Sequence, residues 1–185
     1  MTIIMAYLLR TLILIMVGSI SLTALIGMGL VSFSFSHIEL AIASFLFTIF
    51  AQAFVMFYFI GVSRLVNNVD LILKSKSNLG ELFDNPPEDI SPYEKQVDQF
   101  VHQATVSKRQ TIPWTMLMLI LGMLAFLLGG AYDTGLVSKP IHSGLVYGFM
   151  ASMIIGFFRQ WYYLGKTHKL LRKLKSLFSI SNSSM

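Results

Sequence analysis

Residues 11–36 read TLILIMVGSISLTALIGMGLVSFSFS and residues 40–63 read LAIASFLFTIFAQAFVMFYFIGVS, two apolar runs without a single Lys, Arg, Asp or Glu. Each is near the ~20 residues that an α-helix needs to cross ~30 Å of hydrocarbon. Residues 112–132 and 141–158 repeat the pattern, again without an ionised acid or base. The expectation is an all-α integral membrane protein whose four transmembrane helices, Thr11–Ser36, Leu40–Ser63, Ile112–Tyr132 and Ile141–Phe158, form two hairpins.

The charges orient these spans. Of the 14 Lys and Arg, Arg10 precedes the first span, and Arg64, Lys74, Lys76, Lys95, Lys108 and Arg109 lie between the second and third. Arg159, Lys166, Lys169, Arg172, Lys173 and Lys175 follow the fourth, and only Lys139 falls in the remaining loops. The positive-inside rule then makes this a multi-pass protein with both termini and the middle segment cytoplasmic. At 55% hydrophobic and 12% charged, against ~25% charged in soluble domains, the chain has too little polar surface for a globule in water. The net charge of +5 flanks apolar spans, where anionic headgroups attract each cation by roughly 1 kcal/mol, so the expected partner is membrane lipid and not nucleic acid. Without cysteine there is no disulfide, thiolate metal site or covalently attached c-type haem. The first run continues to Val31, beyond a 7–15-residue signal core, and reads as a retained span that tilts or lays Thr2–Leu9 along the interface.

Four segments follow: a first hairpin (1–63), a cytoplasmic helical segment (64–111), a second hairpin (112–165), and a basic amphipathic helix with its tail (166–185). The hairpins share a pattern. His37 and His142 open the second and fourth spans, which close on Phe57-Tyr58-Phe59-Ile60-Gly61 and Trp161-Tyr162-Tyr163-Leu164-Gly165. Since both hairpins start on the same side, they read as a parallel pseudo-repeat about an axis along the membrane normal. In the middle segment, Val62, Leu65, Val66, Val69 and Ile72 carry the second helix past the membrane to about 78–80. The turn Asp84-Asn85-Pro86-Pro87-Glu88-Asp89 breaks it. Ser91-Pro92-Tyr93-Glu94 then supplies an expected N-cap, a first-turn proline and a reciprocal Glu. Pro113 is expected to end or kink that helix at the membrane. Leu170, Leu171, Leu174, Leu177 and Phe178 form one face of the last helix, and Lys166, Lys169, Arg172, Lys173 and Lys175 are the expected lipid-headgroup contacts. Pairing of this helix with the acid-rich middle segment is the alternative.

For function, the chain offers packing features and few chemical ones. Gly144, Gly148, Ser152 and Gly156 recur every four residues on the fourth span, a row of small side chains that lets a second helix approach closely. His37, Glu39, Asp133 and His142 all fall at the outer span ends, a donor set suited to zinc, iron or copper if the hairpins converge. His37 and His142 alone could serve as axial ligands of a b-type haem. In helix number the plan resembles the haem- and quinone-bearing anchors of respiratory dehydrogenases, and in outline the motor-stator and energy-transducing proton-channel subunits; no motif is carried over from either. The span centres hold only Gln52 and hydroxyls such as Thr48 and Ser152, whereas ion and proton carriers keep an ionisable group at depth. Phosphate-loop, nucleophile-elbow and zinc-protease motifs are absent. The expected function is thus a non-catalytic accessory or scaffold subunit packing against other membrane subunits, without a cofactor. The alternatives are a haem- or metal-bearing anchor and a small transporter or channel subunit.

Overall fold

The computed structural model describes residues 2–32, 34, 36–75, 79–83 and 85–178. They form α1 (Thr2–Gly27), α2 (His37–Ser75), α3 (Ser91–Asp133) and α4 (Lys139–Phe178), with a 3-10 turn at Leu79–Glu81 and no strand among the described residues. All four α-helices are long and apolar enough to cross a membrane. At 39, 43 and 40 residues, α2, α3 and α4 measure roughly 60 Å each, about twice the thickness of a bilayer core.

Local chemistry sets the ends of these helices. In the first hairpin the apolar run outlasts the helix: α1 stops at Gly27 instead of reaching Ser36, because Gly29 turns left-handed at φ +72°. The Leu30 N–H reaches back to the Leu25 carbonyl at 3.0 Å, and the Gly29 N–H to the Ile26 carbonyl at 2.9 Å. This is a Schellman closure, which favours glycine at the left-handed position. The end of α3 repeats it, with Gly135 at φ +75° and bonds from Leu136 to the Ala131 carbonyl and from Gly135 to the Tyr132 carbonyl, both 2.9 Å. Gly29-Leu30-Val31 and Gly135-Leu136-Val137 thus carry the same three residues in the same role.

At the start of α2, Ser36 and Glu39 make a reciprocal capping box: the Glu39 N–H donates to Ser36 Oγ at 3.2 Å, and the Ser36 N–H donates to Glu39 Oε2 at 3.0 Å. At α3 the expected Ser91 cap is displaced by one residue. Ile90 occupies the cap position without a side-chain bond, and the Ser91 N–H is taken by Asp89 Oδ1 at 2.9 Å. Pro113 neither ends nor divides α3, which runs through it; its ring is exposed, so it displaces nothing in the core. The expected stop of α2 near 78–80 falls partly outside the described residues; the described helix ends at Ser75.

Successive helices pack antiparallel in a ring, α1 on α2, α2 on α3, α3 on α4 and α4 on α1, while α2 and α4 meet lightly across the diagonal. Buried positions on α2 follow Val55, Phe59, Val62, Val66, Val69 and Leu73. That alternation of four and three is the spacing of a left-handed coiled coil. On α3 it is broken between Ser107, Thr111 and Thr115, all buried, where two steps of four locally unwind the supercoil. The larger core cluster lies on the charged side of this break: it starts at Leu9 and Ile13 of α1 with Val55 and Phe59 of α2, and continues into a stem of α2, α3 and α4 through Val66, Leu73, Val97, Phe100, Leu171 and Leu174. In water each such side chain contributes about 1.5–3 kcal/mol on burial. Across the break the cluster is small, comprising Met16, Ile20, Ala51, Met118 and Met153, and Leu46, Phe50, Leu127 and Phe158 are exposed. Close packing and hydrogen bonds must hold that half together if lipid surrounds it.

The end of α4 turns its apolar face toward the neighbouring helices. Leu170, Leu171 and Leu174 are buried in the stem, and Phe178 packs edge-on against Phe83 with ring centroids 5.3 Å apart. Lys74 of α2 bridges Asp70 and Asp98 at 2.9 Å each, tying the stem of α2 to α3.

Candidate functional site

At the break in spacing the four helices meet around a polar layer. Gln160 Nε2 of α4 donates to Gln52 Oε1 of α2 at 2.6 Å and to Thr115 Oγ1 of α3 at 3.0 Å. Gln52 Nε2 lies 2.9 Å from the Met16 sulfur of α1 and 3.4 Å from Gln160 Oε1. All four side chains are fully buried. An unpaired buried amide costs more than the net gain of one hydrogen bond, so the layer fixes the axial register of all four helices. Gln52 was visible as the polar residue within its span, whereas Gln160, beside Arg159 and past the apolar run, carried no signal of burial except its four-residue spacing from Gly156.

The two tryptophans of the chain lie near this level, each capped by an arginine of a neighbouring helix. The Arg10 guanidinium stands 4.8 Å from the Trp161 ring centre, and that of Arg159 5.1 Å from Trp114. Arg159 also donates to Gln110 Oε1 at 2.5 Å. Lys166 Nζ lies 4.7 Å from the Tyr162 ring centre. Such aromatic and cationic pairs suit a membrane–water boundary. Lys169, Arg172, Lys173 and Lys175 are exposed further along α4.

Toward the loop end lies a cavity of about 170 Å³, with His37 and His142 both on its wall. Each imidazole sits on a glycine of the preceding helix. A Cβ at Gly27 would come within 2.6 Å of His37 Cε1, and one at Gly129 within 3.1 Å of His142 Cε1. The His142 ring also stacks on Tyr132, 5.8 Å between centres at 5°. The Nδ1 atom of each histidine is buried without a hydrogen-bond partner. Thr23, Ser44, Thr48 and Ser143 supply hydroxyls to the wall, and Phe45, Phe126 and Phe149 supply rings. Met16, Met118 and Met153 belong to one small core cluster, in which Met16 reaches the glutamine layer; none of the three lines the cavity.

The sequence-level donor set is only half assembled here. Glu39 is exposed and engaged with Ser36, Asp133 is exposed at the last turn of α3, and neither lines the cavity. No group of three or more His, Cys, Asp or Glu comes together among the described residues. The glycine row also divides. Gly156 meets Met118 Cε at 3.4 Å from a placed Cβ and Ser152 is buried, whereas Gly144 and Gly148 have nothing within 4 Å of theirs. Outside the helices, the titration of Asp89 is displaced: the bond from the Ser91 backbone N–H, with a lesser contribution from the Ser91 side chain, holds its carboxyl below the ordinary range.

The chain matches no protein-family model, no curated protein and no solved structure.

Proposed function

We propose that the chain is a non-catalytic accessory subunit of a larger membrane protein complex, receiving a helix of another subunit against α4. The observation that carries this is the division of the small-residue row: Gly156 is small because Met118 packs on it, but nothing described within the chain packs on Gly144 or Gly148. Small residues there let a foreign backbone approach, which is how transmembrane helices associate when lipid is as apolar as leucine. Gly148→Leu tests it. The variant should fold as the parent does and lose co-purifying subunits in mild detergent; recovery of the parent as a lone monomer would remove the reading.

In this proposal both termini and the stem are cytoplasmic, an orientation supported by every Lys and Arg except Lys139. Cysteines introduced at Ser36 and Ser138 should label from the outer side. The hairpins are related by a parallel pseudo-repeat, supported by the twin Gly-Leu-Val closures at φ +72° and +75° and by the histidines seated on glycines. The stem helices are its cytoplasmic amphipathic elements, and Lys166, beside the aromatic boundary, is the basic residue best set to meet lipid headgroups.

A second reading, a ligand-bearing membrane anchor, is favoured by the cavity that His37 and His142 share. An absorption spectrum and elemental analysis of the purified protein decide whether a b-type haem or a metal is held there. A Soret band lost in both His37→Ala and His142→Ala would establish haem.

A further inference from the structure

All nine acidic residues of the chain lie between Glu39 and Asp133, so neither α1 nor α4 carries one. The charges that these two helices bring to their shared face are therefore basic. Two of them stand at one level. The Arg10 guanidinium, over the Trp161 ring at 4.8 Å, crosses Gly165 so closely that a Cβ there would meet Nη2 at 3.3 Å. Lys166 is the next residue, and its Nζ lies 4.7 Å from the Tyr162 ring centre and 6.0 Å from that of Tyr163. A ring attracts a cation but does not neutralise its charge. Among the described residues no carboxylate pairs with either cation. Neighbouring cations without a counter-charge select an anion, and a phosphodiester accepts hydrogen bonds both from a guanidinium fork and from an ammonium on its flexible stem.

The surface leading up to these cations selects the kind of anion. Ile154, Phe158, Tyr162 and Lys166 follow one another at intervals of four along α4, which places them in one row, and all four are exposed. On α1, Leu14 is exposed one turn beyond Arg10. The row passes from aliphatic through aromatic to cationic side chains, the order of chemistry met along a phospholipid from acyl chain to phosphate. A free phosphate or an acidic peptide makes no use of Ile154 and Phe158. The lack of acids on both helices excludes a second option. The ammonium of a zwitterionic headgroup finds no carboxylate on α1 or α4, so a headgroup of net negative charge fits best.

We infer that the face shared by α1 and α4 holds one anionic phospholipid, its phosphate between Arg10 and Lys166 and an acyl chain along Phe158 and Ile154. The site deepens the headgroup contact proposed above for Lys166 and rests on that placement of the membrane boundary, which the labels at Ser36 and Ser138 test separately.

The test is thermal unfolding of the detergent-purified full chain with added dioleoylphosphatidylglycerol, with dioleoylphosphatidylcholine, and with inorganic phosphate. The phosphatidylglycerol should raise Tm in a saturable manner at mole fractions where the phosphatidylcholine, with the same acyl chains, does not, and phosphate alone should have no effect. Lys166→Gln and Arg10→Gln should each weaken the apparent affinity by about fivefold, the loss of one cation near an anionic headgroup. Lys166 is exposed, so its replacement keeps the test open if the Arg10 variant fails to fold, and Lys166→Arg, which retains the charge, should bind as the parent does. Arg64→Gln removes an exposed cation from α2 and should leave the affinity unchanged. An equal loss in Arg64→Gln would show diffuse charge attraction and overturn the site. Equal stabilisation by both lipids, or the absence of any saturable lipid effect, would overturn it as well. Stabilisation by inorganic phosphate that is lost in Lys166→Gln would leave an anion site and overturn the lipid.

Discussion

Gln52 and Gln160, on helices that otherwise barely touch, join across the bundle diagonal through a 2.6 Å bond from Gln160 Nε2 to Gln52 Oε1. Both amides are fully buried, so each is the partner that makes burial of the other tolerable. Polar contacts between membrane helices contribute roughly 0.6–2 kcal/mol, and an orphaned buried amide costs about 1–3 kcal/mol. Gln52→Leu and Gln160→Leu should therefore each destabilise the bundle by about 1–3 kcal/mol. The double Leu variant should cost less than the sum, because it leaves neither amide stranded. Reversible denaturation in mixed micelles, run as a double-mutant cycle, measures the coupling; strict additivity would mean that the pair does not interact.

The glycine row yields opposite outcomes along one helix. Gly156→Leu drives a branched side chain onto Met118, where even a Cβ finds the methyl carbon at 3.4 Å, and overpacking of this kind costs about 1–3 kcal/mol. Gly148→Leu meets nothing within 4 Å of its Cβ and should leave the Tm of the isolated chain unchanged or slightly raised. Unfolding midpoints of the two purified variants check the contrast, independently of any partner.

At the first hairpin, Gly27 and Gly29 are needed for different reasons. Gly29→Ala places a side chain at φ +72° and should cost about 1 kcal/mol. Gly27→Ala has ordinary backbone but intrudes to 2.6 Å from His37 Cε1. It should shift the imidazole resonances in NMR with little change in stability, because a side-chain end can move aside more cheaply than a backbone.

The start of α3 should weaken in acid. The Asp89 carboxyl titrates lower in the folded chain than in the unfolded one, owing chiefly to the Ser91 N–H bond. Its contribution is therefore complete above the unfolded carboxyl pKa of about 3.9 and is lost as pH falls through the lower folded value. Amide exchange at Ser91, corrected for intrinsic rates, should speed up over that window and be fast at all pH values in Asp89→Ala. An unchanged pH profile in the variant would show that the carboxylate does not hold the turn.

What the sequence alone determined is the helical class, the number of helices fit to cross a membrane and the charge bias between their ends, because these depend on composition along one stretch of chain. Apolar length states that a segment can span, and it overshot at residues 28–36, where Gly29 ends the helix before hydrophobicity ends. The Ser36–Glu39 cap was legible as a Ser-x-x-Glu pattern ahead of an apolar run. Tertiary structure decided everything that depends on rotation and register between helices. It brought Gln160 to Gln52 across 108 positions of sequence, set His37 and His142 on one wall while leaving Glu39 and Asp133 outside, and filled one half of the glycine row but not the other. A helix in lipid has no hydrophobic face to announce its core side, so inward and outward residues look alike until the neighbouring helices are in place.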